Sequence, residues 1–164
     1  MIGDSHVRRI TEVPNYRQYF SLRDATIEFK HQGGAGVKFL WDIPEERYDI
    51  IVFCLGSNNL DSGMQPAELF KRLMFHADRY RTLKLCDYVV IMGLWPRANR
   101  AFNAKMRVFN QFSTRKPGIF FWKWSNSLNV IIKPDRVHLV THSYRRVIKY
   151  LCSPILYVMR HIDK

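Results

Sequence analysis

The chain has 164 residues, of which 47% are hydrophobic, so it is long enough to bury one substantial core and is expected to form a single domain over residues 1–164. This composition excludes a disordered chain, and no apolar run reaches the roughly 18 residues that a membrane span needs. Lys and Arg outnumber Asp and Glu by 26 to 14, for a formal net charge of +12, which favours association with polyanions such as nucleic acid without naming a partner.

The N-terminal sequence and the spacing of the cysteines indicate where the protein is expected to function and whether disulfide or zinc sites are expected. No basic segment followed by an apolar one opens the chain, so an intracellular protein, cytoplasmic or nuclear, is expected. The three cysteines, Cys54, Cys86 and Cys152, form no Cys-x-x-Cys pair. Neither a disulfide framework nor a zinc site is therefore predicted.

The first elements are short. Ile2-Gly3 is typical of the end of a strand, and residues 6–10 are typical of the first turns of a helix. Only Met1 and Ile2 precede the Gly3-Asp4-Ser5 motif, so we expect either a shortened first strand or a chain that is a piece of something larger. Residues 25–29 form a weaker strand candidate.

Two near-continuous apolar runs, 49–55 and 87–94, have the pattern of strands buried on both faces of a parallel sheet. A further strand is expected at 118–124 or at 130–132. Apolar residues at helical spacing predict crossover helices around 69–80 and 102–112. A last helix is predicted to begin near Thr141, and Ser153-Pro154 has the pattern of an N-cap and first helical position, which predicts a separate short helix after it.

This alternation predicts an α/β fold, in which ligands bind beyond the carboxyl ends of the strands. Ser5 lies at such a position, between a strand end and a helix N-terminus whose unpaired N–H groups stabilise negative charge. Gly-Asp-Ser is also a common turn or helix cap. The motif Gly56-Ser57-Asn58-Asn59 closes the strand 49–55, and the Asn58 carboxamide can donate to an oxyanion, although these residue types also form ordinary turns.

The Gly33-Gly34-Ala35-Gly36 segment could bring a backbone N–H to a substrate or merely turn the chain. Near the C-terminus, Asp135 precedes His138 by three residues, in a loop that enters a helix. A carboxylate so placed can orient the imidazole and leave its other nitrogen free to deprotonate Ser5, or can simply cap the helix. The other histidines have no comparable setting and are interpreted as surface or structural residues.

Aromatic residues lie next to basic ones in two places. Trp95-Pro96-Arg97 follows a strand end, so Trp95 and Arg97 are candidates for substrate contacts in an acyl pocket. Trp122 and Trp124 flank Lys123, which could stack bases and hold phosphates, although such a stripe more often belongs to the core.

In these motifs and their order the chain resembles the SGNH hydrolases, also called GDSL-like esterases and lipases. The resemblance rests on Gly3-Asp4-Ser5, Gly34, Gly56-Ser57-Asn58-Asn59 and Asp135-Arg136-Val137-His138, and it spans nearly the whole sequence. It implies a flavodoxin-like three-layer α/β/α sandwich. Compact, basic proteins of this kind occur as esterase domains in proteins encoded by animal retrotransposons.

The resemblance also implies roles. Ser5 would be the nucleophile, His138 the base and Asp135 its orienting partner. The Ser5 N–H, the Gly34 N–H and the Asn58 side chain would form the oxyanion hole. The implied activity is hydrolysis or transfer of the acyl group of a small-molecule or lipid ester, without a metal or organic cofactor. Departures from the family pattern are Asn59 in place of an Asp and Arg136 in place of a frequent Gly.

Three functions remain open from the sequence. The first is a serine esterase. The second is an inactive module of the same fold that binds nucleic acid or a protein partner. The third is an O-acyltransferase that uses the same site. The acyl and alcohol groups are not specified by the residues, because a fold alone supplies no substrate.

Overall fold

A five-stranded, all-parallel sheet forms the centre of the protein. The computed structural model describes residues 1–20, 22, 25–124, 128–135 and 137–162. The strand order is β2-β1-β3-β4-β5, which is the flavodoxin-like order. The strands are β1 (Ile2–Gly3), β2 (Lys30–His31), β3 (Tyr48–Cys54), β4 (Cys86–Met92) and β5 (Ile119–Trp122).

Five α-helices and two short 3-10 helices surround this sheet in the described part of the chain. The α-helices are α1 (Ser5–Thr11), α2 (Ser57–Asp61), α3 (Pro66–Thr82), α4 (Arg100–Phe109) and α5 (Thr141–Ile162), and the 3-10 helices are Tyr16–Tyr19 and Val37–Trp41. None of the helices so described is long and apolar enough to cross a membrane.

The core is divided by the sheet into two hydrophobic clusters. Side chains of β3 alternate between them, with Ile51 and Phe53 in one cluster and Val52 and Cys54 in the other. The first cluster packs against α3 and α4, and the second against α1 and α5. Because both faces are covered, the central strands are apolar over residues 50–54 and 88–92, as the sequence predicts. The three-layer α/β/α expectation is confirmed.

The expectation of a shortened first strand agrees with the structure, because β1 contains only two residues. It pairs with the last two residues of β3 on one side and with β2 on the other. The predicted strand at 25–29 is wrong. The strand begins directly after this segment, at Lys30–His31. A strand needs hydrogen-bonding partners, and β1 offers only Ile2 and Gly3. Similarly, β5 falls within 118–124, whereas 130–132 contributes only an isolated bridge from Ile132 to Leu139.

The predicted break at Ser153-Pro154 is also wrong, because α5 runs without interruption through Pro154. A proline inside a helix loses one backbone hydrogen bond and usually kinks or ends it. Here the apolar face continues on both sides of the proline, with Leu151, Ile155 and Val158 all buried in the same cluster. Packing of this face against the sheet outweighs the local cost of the proline.

Candidate active site

Ser5 is the first residue of α1, immediately after β1. Asp4 caps the helix, and its carboxylate accepts a hydrogen bond from the His6 backbone N–H at 2.9 Å. Because Asp4 is only 1% exposed, burial raises the pKa of its carboxyl group to about 6, despite that bond. The rigid strand-to-cap connection fixes the start of α1, and with it the Ser5 side chain.

The structure brings Ser5, His138 and Asp135 together, although the serine and the histidine are 133 positions apart. The Ser5 Oγ lies 3.0 Å from His138 Nε2, and His138 Nδ1 lies 2.9 Å from Asp135 Oδ2. The imidazole therefore bridges the hydroxyl and the carboxylate, one through each ring nitrogen. This is the geometry that a base and its orienting partner need for proton transfer from a serine.

The loop before α5 holds Asp135 as an anion. Its Oδ1 accepts the backbone N–H groups of Val137 at 2.9 Å and of His138 at 2.8 Å. These two bonds, with the nearby imidazole, hold the pKa of the carboxyl group well below its usual range. A charged carboxylate accepts a hydrogen bond from the Nδ1–H, which leaves the Nε2 lone pair directed at the serine hydroxyl. Arg136 lies outside the described residues.

The Asn58 side chain and the glycine segment also lie next to each other. Asn58, in α2, donates from Nδ2 to the Ala35 carbonyl at 2.9 Å. Gly34 precedes Ala35, is exposed and has a φ of +72°, a left-handed conformation that favours glycine. On the other side of this segment the Gln32 N–H donates to the Gly3 carbonyl at 3.2 Å. The segment that contains Gly34 therefore joins the β1 end, from which Ser5 follows, to Asn58.

Asn59, which stands where the SGNH sequence pattern has an aspartate, has a structural role. Its Oδ1 accepts the Val37 backbone N–H at 2.9 Å, and it lies so close to Gly36 that a Cβ there would come within 2.8 Å of the oxygen. The carboxamide thus fixes the far side of the glycine segment. An aspartate oxygen would accept the same bond, so the departure from the family pattern keeps this anchor.

Trp95 and Arg97 lie near this site, but both are largely buried, at 4% and 3% exposure. The Trp95 ring meets His6 edge to face, with 4.9 Å between ring centroids. The Arg97 guanidinium bonds to Asp61 at 2.9 Å and to Asn58 Oδ1 at 3.2 Å. Both side chains therefore mainly contact other residues of the protein. Substrate contact by either residue stays a prediction.

His6 is a site neighbour that sequence reasoning interpreted as merely surface or structural. It is fully buried, its Nδ1 lies 2.9 Å from the Tyr144 hydroxyl, and its ring centroid is 5.4 Å from that of His138. Burial, with His138 and Arg97 nearby, lowers the pKa of His6 to about 3. His6 is therefore a neutral wall of the site. Only its position directly after Ser5 could have suggested this.

A cavity of about 340 Å³ opens between the tip of α2 and the histidine loop. It is lined by Asp61, Arg97, Ala98, Asn99 and Val137. A larger cavity of about 890 Å³ lies at the opposite ends of β1 and β3, away from Ser5. The smaller cavity is the one next to the triad-like cluster. No group of three or more potential metal ligands occurs among the residues that the structure describes.

Solved structures of the same fold are found by structural comparison. A serine-to-alanine mutant of an acetyl esterase, solved with acetate ion, matches with a TM-score of 0.65 and 11% sequence identity, over 99% of this chain and 98% of that one. A carbohydrate esterase of family 3 from Talaromyces cellulolyticus matches with a TM-score of 0.65 and 11% identity, over 98% and 97%. AlinE4, an SGNH-hydrolase family esterase, matches with a TM-score of 0.51 and 16% identity, over 96% and 93%.

The chain thus has the SGNH hydrolase fold over almost its entire length. No protein-family model and no curated protein matches its sequence. At such low identities the likeness concerns the fold, and the chemistry must be argued from the site itself.

Proposed function

We propose that this protein is a serine esterase that hydrolyses an ester-linked acyl group. The observation that carries the proposal is the contact of 3.0 Å between Ser5 Oγ and His138 Nε2, with Asp135 on the other nitrogen of the same imidazole. A surface turn and a helix cap, the ordinary alternatives for these motifs, would have no reason to meet across 133 positions of sequence.

The proposed reaction has two halves. Ser5 Oγ attacks the ester carbonyl while its proton moves to His138 Nε2, and the carbonyl oxygen becomes an oxyanion. As the carbonyl re-forms, the bond to the alcohol oxygen breaks and the alcohol takes the proton from His138. Water then attacks the acyl-serine with the same proton transfers, which releases the carboxylic acid and restores Ser5. Asp135 stabilises the imidazolium in both halves without taking its proton.

The oxyanion hole is assigned to three donors in this proposal: the Ser5 N–H, the Gly34 N–H and the Asn58 Nδ2. Ser5 is the first residue of a helix, where a backbone N–H lacks an intrahelical partner. Gly34 is exposed and adjoins the residue to which Asn58 bonds. None of these steps uses a metal or an organic cofactor.

We propose that the substrate is an ester of a short acyl group. Two of the solved structures of this fold are an acetyl esterase with acetate ion and a carbohydrate esterase. The neighbouring cavity, at about 340 Å³, is at the small end of the range for ligand sites. An aryl acetate is therefore the first substrate to test.

The decisive experiment compares Ser5→Ala with wild type in turnover of an aryl acetate. We expect turnover to fall to background while the circular dichroism spectrum and melting temperature stay close to wild type, since the change removes one hydroxyl from a half-buried first helical residue. Ser153→Ala, at an exposed position of α5, is the matched control and should retain full activity. Equal turnover by Ser5→Ala and wild type would refute the proposal.

Labelling with a fluorophosphonate separates the other two functions. A single adduct mapped to Ser5 is expected from an esterase. Absence of both labelling and turnover in the folded wild type would favour the inactive binding module. Labelling with slow hydrolysis that is accelerated by an added sugar or alcohol would favour the acyltransferase.

A further inference from the structure

The Asn58 carboxamide is held at both of its polar atoms. Its Nδ2 donates to the Ala35 carbonyl at 2.9 Å, and its Oδ1 accepts from Arg97 Nη2 at 3.2 Å. Because a guanidinium can only donate and a carbonyl can only accept, this pair of bonds permits one orientation of the amide. One of the two Nδ2 hydrogens goes to Ala35, and the second is left for another acceptor.

Arg97 is itself fixed from several directions. Its Nη1 bonds to Asp61 at 2.9 Å, and its guanidinium carbon lies 4.8 Å from the centroid of the Phe102 ring. Asn103 accepts the Arg97 backbone N–H at 3.0 Å and donates back to its carbonyl at 2.7 Å. With only 3% of its surface exposed, this cation has little freedom to turn toward a ligand.

We propose that Arg97 is a positioning residue that orients and polarises the Asn58 carboxamide as an oxyanion donor. The positively charged Arg97 guanidinium, bonded to the amide oxygen of Asn58, draws electron density away from the amide nitrogen. The remaining N–H of Asn58 therefore becomes a stronger donor. The effect is greatest in the transition state, where the acceptor carries full charge. This inference rests on the proposed esterase function and gives Arg97 a role through Asn58 in place of the expected direct contact with substrate.

A double-mutant cycle tests the coupling between the two residues. We expect Arg97→Met to lower kcat about tenfold to hundredfold with KM within about twofold of wild type, and Asn58→Ala to lower kcat by roughly 10²–10³. In the Asn58→Ala background, the same Arg97→Met change should lower kcat by less than about threefold, because its target is gone. Effects that multiply in the double variant would overturn the inference and leave Arg97 a fold-stabilising residue.

Chemical rescue keeps the test meaningful if removal of Arg97 weakens the fold. Millimolar guanidinium, well below denaturing concentrations, should restore part of the kcat of Arg97→Ala and none of that of the Asn58→Ala/Arg97→Ala double variant. Melting temperatures identify any variant that loses activity because it unfolds. Arg97→Lys, which keeps the positive charge, is the alternative variant if Arg97→Ala does not fold. Equal responses to guanidinium in the single and double variants would contradict the inference.

The two proposals fail in different ways. A folded wild type that neither turns over esters nor takes a phosphonate label defeats the esterase assignment. A wild type that does both, with a multiplicative cycle, defeats only the role of Arg97.

Discussion

Three ionisable groups near Ser5 have pKa values that their surroundings shift in different directions. Asp135 is stabilised as an anion by two backbone N–H groups, whereas burial of Asp4 raises its pKa to about 6. Burial also keeps His6 neutral beside His138. Asp135 contacts the His138 ring directly, so this carboxylate is placed to stabilise an imidazolium.

Asp135→Asn is expected to lower kcat by roughly 10³–10⁴. The amide keeps the size of the side chain and can still accept the two backbone N–H groups. It favours the wrong tautomer of His138, however, and provides no negative charge for the imidazolium. Steady-state kinetics with an aryl acetate check this. Retention of more than a tenth of the wild-type kcat would show that His138 does not depend on Asp135.

Individual residues differ in how far the sequence reveals them. Ser5, Asp135 and His138 belong to short motifs with recognisable chemistry, and the structure brings them into contact. His6 was not identified, because a buried histidine and an exposed one look the same in a sequence. The contacts of Arg97 were equally invisible, since its partner Asn58 is 39 positions away.

At the scale of elements, the position of Asn58 depends on a tight junction between β3 and α2. Gly56 caps α2 with a φ of +120°, and a Cβ at this position would lie 2.8 Å from Leu69 Cδ2. The glycine lets the chain turn directly from the sheet into α2 beneath α3. Both its conformation and its closeness to Leu69 require the absence of a side chain.

Gly56→Ala is expected to destabilise the protein more than Gly63→Ala does. Both positions have a positive φ, which costs a residue with a side chain about 1–3 kcal/mol. Only Gly56 adds a steric clash, for a further cost of about 1–3 kcal/mol, since a Cβ at Gly63 meets nothing within 4 Å. Urea unfolding measures both differences. A loss at Gly63 equal to that at Gly56 would show that the contact with Leu69 is easily relieved.

Local patterns identified the central strands and the helices α3 and α4, but they misplaced β2 and divided α5. Strands β3 and β4 are apolar because both of their faces are covered, so each is visible in its own residues. The position of β2 is set instead by the two residues that β1 offers as partners, which no local pattern contains. The prediction of a break at Pro154 was wrong for a similar reason. The helix α5 is stabilised across the proline by packing against residues that are distant in sequence.

For the molecule as a whole, buried ionisable groups predict how stability varies with pH. His6 has a usual pKa of 6.5 and a folded value of about 3. Between these values the unfolded chain binds a proton at this residue and the folded chain does not, so acid favours unfolding. Asp4 acts in the opposite sense, because its raised pKa of about 6 favours the folded state at low pH and this contribution is lost as pH rises.

The unfolding free energy of His6→Gln relative to wild type should increase as pH falls below 6.5, because both proteins keep the contribution of Asp4 and only the wild type keeps that of His6. Below pH 6.5 the wild type loses about 1.4 kcal/mol per pH unit through His6, a loss that the variant lacks. Urea unfolding at pH 7, 6 and 5 measures the slope. His142→Gln, at an exposed position, should give a curve parallel to wild type. Parallel curves for wild type and His6→Gln would contradict the burial argument.

The contact between the serine and the imidazole joins residues 5 and 138, which are 133 positions apart in the chain. In an esterase built this way, no amino-terminal fragment that stops before His138 can turn over substrate. During refolding, ester turnover would return only once this long-range contact has formed. Enzyme activity would therefore serve as a kinetic probe for completion of the native topology.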